Sequence, residues 1–201
     1  MKQICIILLA ILCAANTYAR VFTVSQLTYK TLSANEVELI GGEEDLKSIH
    51  IKPTVIYDDR IFRVIRIGER AFWKNHSLTF ITIPNTVTEI GESAFYFCYN
   101  LTSITIGNNV KKIGDSAFAS CESLTSVTIP NSVTEIGDFA FAGCSKLASI
   151  TIPDSVMSIG DHAFASCENL TSVTIPNSIT KIERGAFDGC SKLNSITIPN
   201  S

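Results

Sequence analysis

The chain has 201 residues, of which 46% are hydrophobic, which is enough for one domain with a packed core and argues against a disordered chain. It carries 16 Lys and Arg against 19 Asp and Glu, a net charge of -3, so it has no basic field that would bind nucleic acid or an anionic membrane. The three histidines, His50, His76 and His162, are more than 25 residues apart, which argues against a histidine-rich metal site. We expect no cofactor.

The first residues have the pattern of a secretory signal peptide. Lys2 precedes an apolar run over 4–15, and the segment ends at Ala19, the small residue that signal peptidase requires. We predict that residues 1–19 are removed and that the mature protein is secreted or lies on the cell surface. No second apolar stretch long enough to span a bilayer follows, so no membrane span is expected after cleavage.

Residues 20–63 are predicted to form a β-rich N-terminal cap. Alternating apolar residues predict three strands, and a turn-prone segment at 33–35 lies between the second and third strands. The strand positions are Phe22 and Val24, Leu27 and Tyr29, and Val37 and Leu39. We predict a degenerate first repeat strand over 46–51 and a hairpin tip over 57–60.

A repeat with a fixed period of 23 residues fills the rest of the chain, predicted as the solenoid domain 64–201. Leucine, isoleucine, Ala-Phe and cysteine positions all keep this spacing. The leucines are Leu78, Leu101, Leu124, Leu147, Leu170 and Leu193, and one set of isoleucines is Ile67, Ile90, Ile113, Ile136, Ile159 and Ile182. Such a period is typical of a solenoid, in which each unit buries its apolar side by stacking on its neighbours.

Within one unit, residues 124–129 alternate in polarity and predict a short half-buried strand that Pro130 ends. Gly137 and Asp138 then predict a turn and an N-cap for a short helix containing Ala140 and Phe141. The predicted fold is therefore an α/β solenoid, with a parallel β-sheet on one face, short helical turns on the other, and the β-rich cap at the N-terminus.

The unit over 124–146, LTSVTIPNSVTEIGDFAFAGCSK, closely resembles the BspA-type leucine-rich repeat of bacterial and protist surface proteins. The resemblance covers residues 46–201. It implies a leucine-rich repeat fold and a secreted or surface antigen that adheres to host matrix proteins such as fibronectin or fibrinogen, or to other microbes.

The C-terminal end of the sequence departs from the usual pattern of a solenoid. Repeat proteins close with an atypical, polar-faced unit, but this sequence stops within an ordinary repeat unit at 198–201. We therefore expect either that the sequence is a fragment of a longer protein or that another chain covers the open end. End-to-end self-association follows from the second alternative.

Five cysteines occupy the same position in successive repeats. They are Cys98, Cys121, Cys144, Cys167 and Cys190. Because stacked side chains point in parallel and the count is odd, a ladder of buried thiols is favoured over disulfides, although secretion leaves an oxidised pair open. No histidine shares the repeat register, which argues against a catalytic cysteine, and we expect that the protein is not an enzyme.

Two groups of residues are candidates for binding a protein partner. Aromatic residues interrupt the repeat in the first units, and one row of threonines follows the outward side of the predicted strands. The aromatic group is Trp73, Phe80, Tyr96, Phe97 and Tyr99, and the row is Thr82, Thr105, Thr128, Thr151 and Thr174. Aromatics dominate binding hot spots, but they also seal a junction between cap and solenoid. Threonine suits a recognition surface, but it also suits any strand.

Other patterns carry less functional information. The acidic clusters at 43–45 and 58–59 are interpreted as solvated turns, because no base or nucleophile recurs beside them. Asn75, Asn100 and Asn169 match the N-glycosylation pattern, which has meaning only in a eukaryote. The sequence thus predicts a protein-binding, adhesive surface protein, and the alternative is a structural or assembly module without a ligand site of its own.

Overall fold

The computed structural model describes residues 19–197, so nearly all of the predicted signal peptide lies outside the described residues. Within that range the chain is a β-solenoid of about seven turns, built from sixteen strands and no helix. The strands are β1 (Val21–Val24), β2 (Leu27–Thr31), β3 (Glu36–Gly42), β4 (Ser48–His50), β5 (Thr54–Tyr57), β6 (Arg60–Ile67), β7 (Phe80–Thr82), β8 (Glu89–Ile90), β9 (Ser103–Thr105), β10 (Lys112–Ile113), β11 (Ser126–Thr128), β12 (Glu135–Ile136), β13 (Ser149–Thr151), β14 (Ser158–Ile159), β15 (Ser172–Thr174) and β16 (Ser195–Thr197). In this part of the chain, no helix has the length and hydropathy needed to cross a membrane.

A 23-residue turn of the solenoid, here called a coil, contains two short strands in the coils before the last one. In the central coil, β11 follows the buried Leu124, the chain turns at 131–132 after Pro130, and β12 follows. A six-residue turn segment at 138–143 then returns the chain toward the next leucine. Residues 135–136 thus form a second strand, which sequence analysis did not predict.

The prediction of helical turns on the second face is wrong. In segment 138–143 the N–H of Phe139 donates to the Asp161 carbonyl of the next coil (2.9 Å), and the N–H of Phe141 donates to Ala163 (2.8 Å). Phe139 and Gly143 have positive φ values of 55° and 72°, outside the right-handed helical region. Alternate amides thus bond to the next coil, and they are not available for the i→i−4 bonds of a helix.

The strands form two parallel ladders along the solenoid. The back sheet has the order β1-β2-β3-β6-β8-β10-β12-β14, with β5 pairing β6. The front sheet, defined by the three-residue strands, has two parts, β4-β7-β9 and β11-β13-β15-β16. Its break lies between β9 and β11, where the N–H of Thr125 is 3.5 Å from the Thr102 carbonyl oxygen. The predicted parallel pairing of successive repeats is confirmed.

The predicted strands of the cap are confirmed. Strands β1, β2 and β3 pair antiparallel, and β3 joins β6 in parallel. Strands β5 and β6 form the predicted hairpin, with Asp58 and Asp59 at its tip in left-handed conformation. The degenerate repeat strand is β4, which pairs in parallel with β7. Strand β6 runs across the predicted division between residues 63 and 64, so cap and coils share the back sheet.

The core is a set of stacked columns that run along the solenoid axis. The phenylalanine column has ring centroids 5.2–5.7 Å apart, close to the spacing of neighbouring strands. Its members are Phe72, Phe95, Phe118, Phe141, Phe164 and Phe187. Leucine, isoleucine, valine and cysteine columns fill the remaining interior, and nearly all of their members in the central coils are fully buried.

The back sheet stops at β14, and the next coil lacks the glycine that follows the back-sheet strand in earlier coils. A Cβ on Gly137 would lie 2.7 Å from the Asp115 nitrogen, closer than any side chain tolerates. The equivalent position in the last coil is Glu183, and no strand follows β14 there. Ile182, predicted as one of the buried isoleucines, is 42% exposed in this last coil, whereas Ile159 is 3% exposed.

Candidate functional site

Four aromatic rings, here called the aromatic patch, lie in two neighbouring coils on the turn side, the side formed by the six-residue turn segments. The ring centroids of Tyr96 and Phe97 are 4.1 Å apart, those of Phe97 and Tyr99 are 5.3 Å apart, and those of Tyr99 and His76 are 4.9 Å apart. Tyr96, Phe97 and Tyr99, the three that sequence analysis selected, are half-buried, so one part of each ring is open to solvent. His76 joins them because it occupies the position of Tyr99 one coil earlier, which sequence analysis missed.

Trp73 lies one coil before Tyr96 at the same repeat position. It is 45% exposed, and the Lys74 ammonium lies 4.3 Å from the centroid of its ring. The N–H of Lys74 donates to the Tyr96 carbonyl (2.8 Å), which links this turn segment to the patch. A cation over an indole ring gives this end of the turn side both a positive charge and a large apolar surface.

Phe80 lies apart from the other aromatic candidates. It belongs to strand β7 of the front sheet, where it pairs with Ser48 on one side and Ser103 on the other. Its side chain is half-buried among small polar neighbours. The structure therefore divides the predicted aromatic group between the turn side and the front sheet.

The predicted threonine row forms one straight column on the front sheet. Thr82 pairs with Thr105, and Thr128, Thr151 and Thr174 pair in turn, with the break of the sheet between Thr105 and Thr128. In residues 19–197 none of these five hydroxyls makes a hydrogen bond within the protein. By contrast, the hydroxyl of Thr102, in a neighbouring row, donates to the Thr79 carbonyl (2.9 Å).

A groove of about 500 Å³ lies between the β1–β2 hairpin and strand β4, and sequence analysis missed it. Leu27, Leu46 and Val55 form its apolar floor, and His50 and Lys52 lie at its rim. The sequence indicates the groove only indirectly, because 46–51 is the first strand of its sheet. A first strand has one unpaired edge unless the cap covers it, and only the tertiary structure shows that the cap leaves it open.

The cysteine column is a ladder of free thiols, as predicted. Each sulfur donates to the carbonyl of a phenylalanine 26 residues earlier: Cys121 to Phe95 at 3.3 Å, and Cys144 to Phe118 at 3.3 Å. Burial raises the pKa of the Cys98 and Cys144 thiols to about 12. These thiols remain protonated at neutral pH and act as core packing, since the thiolate is the reactive form.

Acidic and basic side chains on the surface are largely used within the fold. Asp115 accepts a hydrogen bond from the N–H of Asp138 (3.0 Å), and Asp138 accepts one from the N–H of Asp161 (2.8 Å). On the back sheet, Lys112 pairs with Glu135 at 2.6 Å. No group of three or more potential metal ligands occurs in the described part of the chain. The predicted solvated turns at 43–45 and 58–59 are exposed.

The asparagines of the glycosylation patterns have structural contacts. Asn75 is 5% exposed, and its Oδ1 accepts hydrogen bonds from the N–H groups of Ser77 (3.1 Å) and Leu78 (3.0 Å). The amides of Asn100 and Asn169 each donate to a carbonyl of the preceding coil at 2.7 Å. A glycan on Asn75 would require local unfolding, because the Asn75 side chain lies in the interior.

The two ladders, the stacked columns and the 23-residue coil define a leucine-rich repeat protein. The model for the BspA type leucine-rich repeat region matches residues 43–156 and 111–201 in six copies, and the chain belongs to this family. No curated protein is significantly similar to this chain.

Solved structures of bacterial leucine-rich repeat proteins have the same fold. The protein from T. pallidum is 26% identical with a TM-score of 0.80, covering 89% of this chain and 82% of that one. A leucine-rich repeat protein from Bacteroides ovatus is 33% identical (TM-score 0.68; 89% and 53%). A leucine-rich cell surface protein from Faecalibacterium prausnitzii is 34% identical (TM-score 0.73; 88% and 54%). The chain spans about half the length of the last two.

Proposed function

We propose that this protein is a secreted or cell-surface leucine-rich repeat protein that adheres to a protein partner, either host matrix protein or another cell. Membership of the family supports protein–protein interaction, and the similar Faecalibacterium protein is named a cell surface protein. The proposed function involves binding and no catalysis.

The aromatic patch together with Trp73 carries this proposal. Tyr and Trp are the residues most enriched at binding hot spots, and the position of Trp73 and Tyr96 is occupied by Ala119, Ala142 and Ala165 in the later coils. The rings of the patch, His76 included, contact one another in tilted pairs. The rings that close the cap form a separate group: Phe22, Tyr29, Tyr57 and Phe62. The contacts of the patch therefore favour partner binding over sealing of the cap.

The threonine column is a second, weaker element of the proposed binding surface. Its hydroxyls are open to a partner, and strand pairing holds them at regular spacing. Each hydroxyl contributes little by itself, but many copies on one cell engage a matrix together, and multivalency then raises the overall strength of attachment.

Surface plasmon resonance tests the proposal. The mature chain, residues 20–201, is passed over immobilised fibronectin, fibrinogen and a glycan panel, alongside a W73A/Y96A/F97A variant. Phe139→Ala is the matched control, because Phe97 and Phe139 are both surface phenylalanines with positive φ (61° and 55°).

We expect saturable binding to a protein surface, lost in the triple variant and retained in Phe139→Ala, with circular dichroism unchanged in both. Binding that survives in the triple variant would move the site to the threonine column. Absence of binding to every surface would contradict adhesion to these partners.

The alternative function is a structural or assembly module, in which the apolar side of the last described coil packs against another chain or against further repeats. Ile182 and Ile196 are 42% and 41% exposed, and Leu193 is half-buried, whereas the equivalent residues of earlier coils are buried. Such a surface associates with another apolar surface in water. Concentration-dependent association in sedimentation velocity, abolished by Ile196→Asp, would support this function, and a monomer at every concentration would exclude self-assembly through this end.

A further inference from the structure

Strand β4 (Ser48–His50) begins the front sheet with one edge unpaired. It pairs with β7 on one side only, whereas the cap strands β1 to β3 extend the back sheet. The two sheets thus differ at the N-terminal end of the solenoid: the back sheet continues into the cap, and the front sheet stops at β4. An open strand edge is a template for pairing with another extended chain.

Ser48 and His50 present their backbone groups at the open edge of β4. The N–H of Ile51 donates to the Thr82 carbonyl (3.1 Å), and the carbonyl of Lys47 also bonds to the β7 side. Hydrogen-bonding groups alternate in direction along a strand, so the N–H and C=O of Ser48 and His50 point away from β7. In residues 19–197 they have no hydrogen-bond partner in the protein. Two donors and two acceptors are therefore available.

These groups face the groove beside the β1–β2 hairpin, which has space for another strand. Its volume is about 500 Å³, and Ser48, Ile49 and His50 are among its lining residues. A three-residue edge is about 10 Å long, which matches the core of a short extended peptide. The cavity thus lies where the next strand of the front sheet would lie.

The lining defines the side chains that such a peptide would carry. Leu27, Leu46 and Val55 form an apolar floor, and Lys52 supplies positive charge at the rim. None of the residues that line the groove is acidic. Side chains of an extended peptide alternate between two sides, so one side meets the apolar floor and the other meets the charged rim.

We propose that the β4 edge binds an extended peptide segment of another protein by strand addition, and that this segment alternates apolar and acidic residues. Backbone hydrogen bonds to Ser48 and His50 provide attachment, and the groove selects the side chains, as in other modes of β-augmentation. This site is separate from the aromatic patch and does not rest on the proposed adhesive function.

Fluorescence anisotropy with a defined peptide tests the site. The probe is a fluorescein-labelled, acetylated and amidated peptide of sequence TVEVEVT, and its charge-reversed counterpart is TVKVKVT. We expect saturable binding of the first peptide and binding of the second that is weaker by about tenfold or more, because Lys52 repels its lysines.

Two N-methylated peptides test the hydrogen bonds directly. One carries methyl groups on the valine nitrogens and the other on the glutamate nitrogens. Because alternate residues of the peptide face β4, only one of the two modified peptides loses binding, by about tenfold or more. Equal binding of both, or equal loss in both, would contradict strand addition, since side-chain capture does not distinguish alternate amides.

Variants of the protein complete the test. Ser48→Pro removes one edge donor and leaves the β7 side intact, and Ser48→Ala, which keeps the N–H, is the matched control. We expect Ser48→Pro to weaken binding by about tenfold and Ser48→Ala to leave it unchanged, with equal melting temperatures. No saturable binding at about 1 mM peptide would overturn the proposal. Self-association of the chain that Ser48→Pro abolishes would also overturn it, in favour of a second copy as the occupant.

Discussion

The central coil and the last coil carry nearly the same residues, yet their burial differs. Phe141 and Ile136 are 0% and 1% exposed in the central coil, whereas Phe187 is half-buried and Ile182 is 42% exposed in the last one. Each coil covers its neighbour, so an apolar residue at a repeat position is buried only when a coil stacks on both sides. The comparison separates the side chain that a repeat position provides from the burial that the neighbouring coils provide.

Truncation of the column phenylalanines gives the largest expected difference. Phe141 stacks on Phe118 and Phe164 at 5.2 and 5.5 Å, so Phe141→Ala removes contacts to two coils. We expect a loss of roughly 3–5 kcal/mol in the free energy of unfolding, measured by urea denaturation. Phe187→Ala, the matched control, is expected to cost less than half as much. Equal losses would mean that burial in this column does not depend on stacking from both sides.

Substitutions at the glycine position test why the back sheet ends. Gly137→Ala places a Cβ against the Asp115 backbone, and we expect a loss of roughly 1–3 kcal/mol from overpacking in chemical denaturation. The reverse change, Glu183→Gly, gives the last coil the glycine of the earlier coils. It is expected to slow amide hydrogen exchange around Ile182, and unchanged exchange there would show that another feature ends the sheet.

Thiol chemistry also distinguishes the two coils. Iodoacetamide at about pH 8 is expected to label the half-buried Cys190 well before Cys144, which is fully buried, in a mass-spectrometric time course. Labelling of Cys144 as fast as Cys190 would contradict the buried ladder.

The raised thiol pKa also makes stability depend on pH. Burial raises the pKa of Cys144 to about 12, above the ordinary value of about 8.5 in the unfolded chain. The stabilisation that the buried, neutral thiol gives is complete below about pH 8.5 and is lost as the pH rises toward 12. The free energy of unfolding then falls by at most roughly 1.4 kcal/mol per pH unit. The free energy of unfolding of Cys144→Ser is expected to fall less steeply above about pH 9 than that of the wild type, and parallel curves would contradict this linkage.

The smallest expected effect concerns surface ion pairs. Lys112 and Glu135 join two coils at 2.6 Å, whereas Lys181 and Glu183 pair within the last coil at 2.7 Å. The hydrogen bond to Glu135 raises the pKa of Lys112. Both side chains are nearly half exposed, so a double-mutant cycle with Lys112→Met and Glu135→Gln is expected to give roughly 0.2–1 kcal/mol, decreasing in high salt. A coupling energy of zero would mean that this pair adds nothing between coils.

Much of the fold follows from spacing alone. The period of 23 and the alternation in 124–129 predicted the parallel strands, and the apolar pattern of 20–63 predicted the hairpins of the cap. The helical turns were predicted wrongly because an Ala-Phe pair after Gly-Asp is compatible with both a helix and a turn segment. Hydrogen bonds to the next coil decide between them, and those bonds exist only after stacking.

The candidate site shows the same division. Sequence analysis selected Tyr96, Phe97 and Tyr99 because they interrupt a repeat, but it did not include His76 or separate Phe80 from the group. It also did not find the β4 groove, whose lining comes from β1, β2, β4 and β5 and the segment before β4. Residues distant in sequence come together there because of the hairpins, and no fixed spacing in the sequence indicates that they are close in space.

The sequence by itself determined the coil, its inward columns and the parallel register, because a strict repeat of apolar positions admits one way of stacking. Only the tertiary structure decided which edges remain open and which repeat positions are covered. Those properties depend on neighbours: the cap extends the back sheet and leaves the front sheet open at β4, and the back sheet ends at β14, before the coil that carries Glu183 in place of the glycine. A repeat position specifies a side chain, whereas its burial and availability belong to the assembled stack.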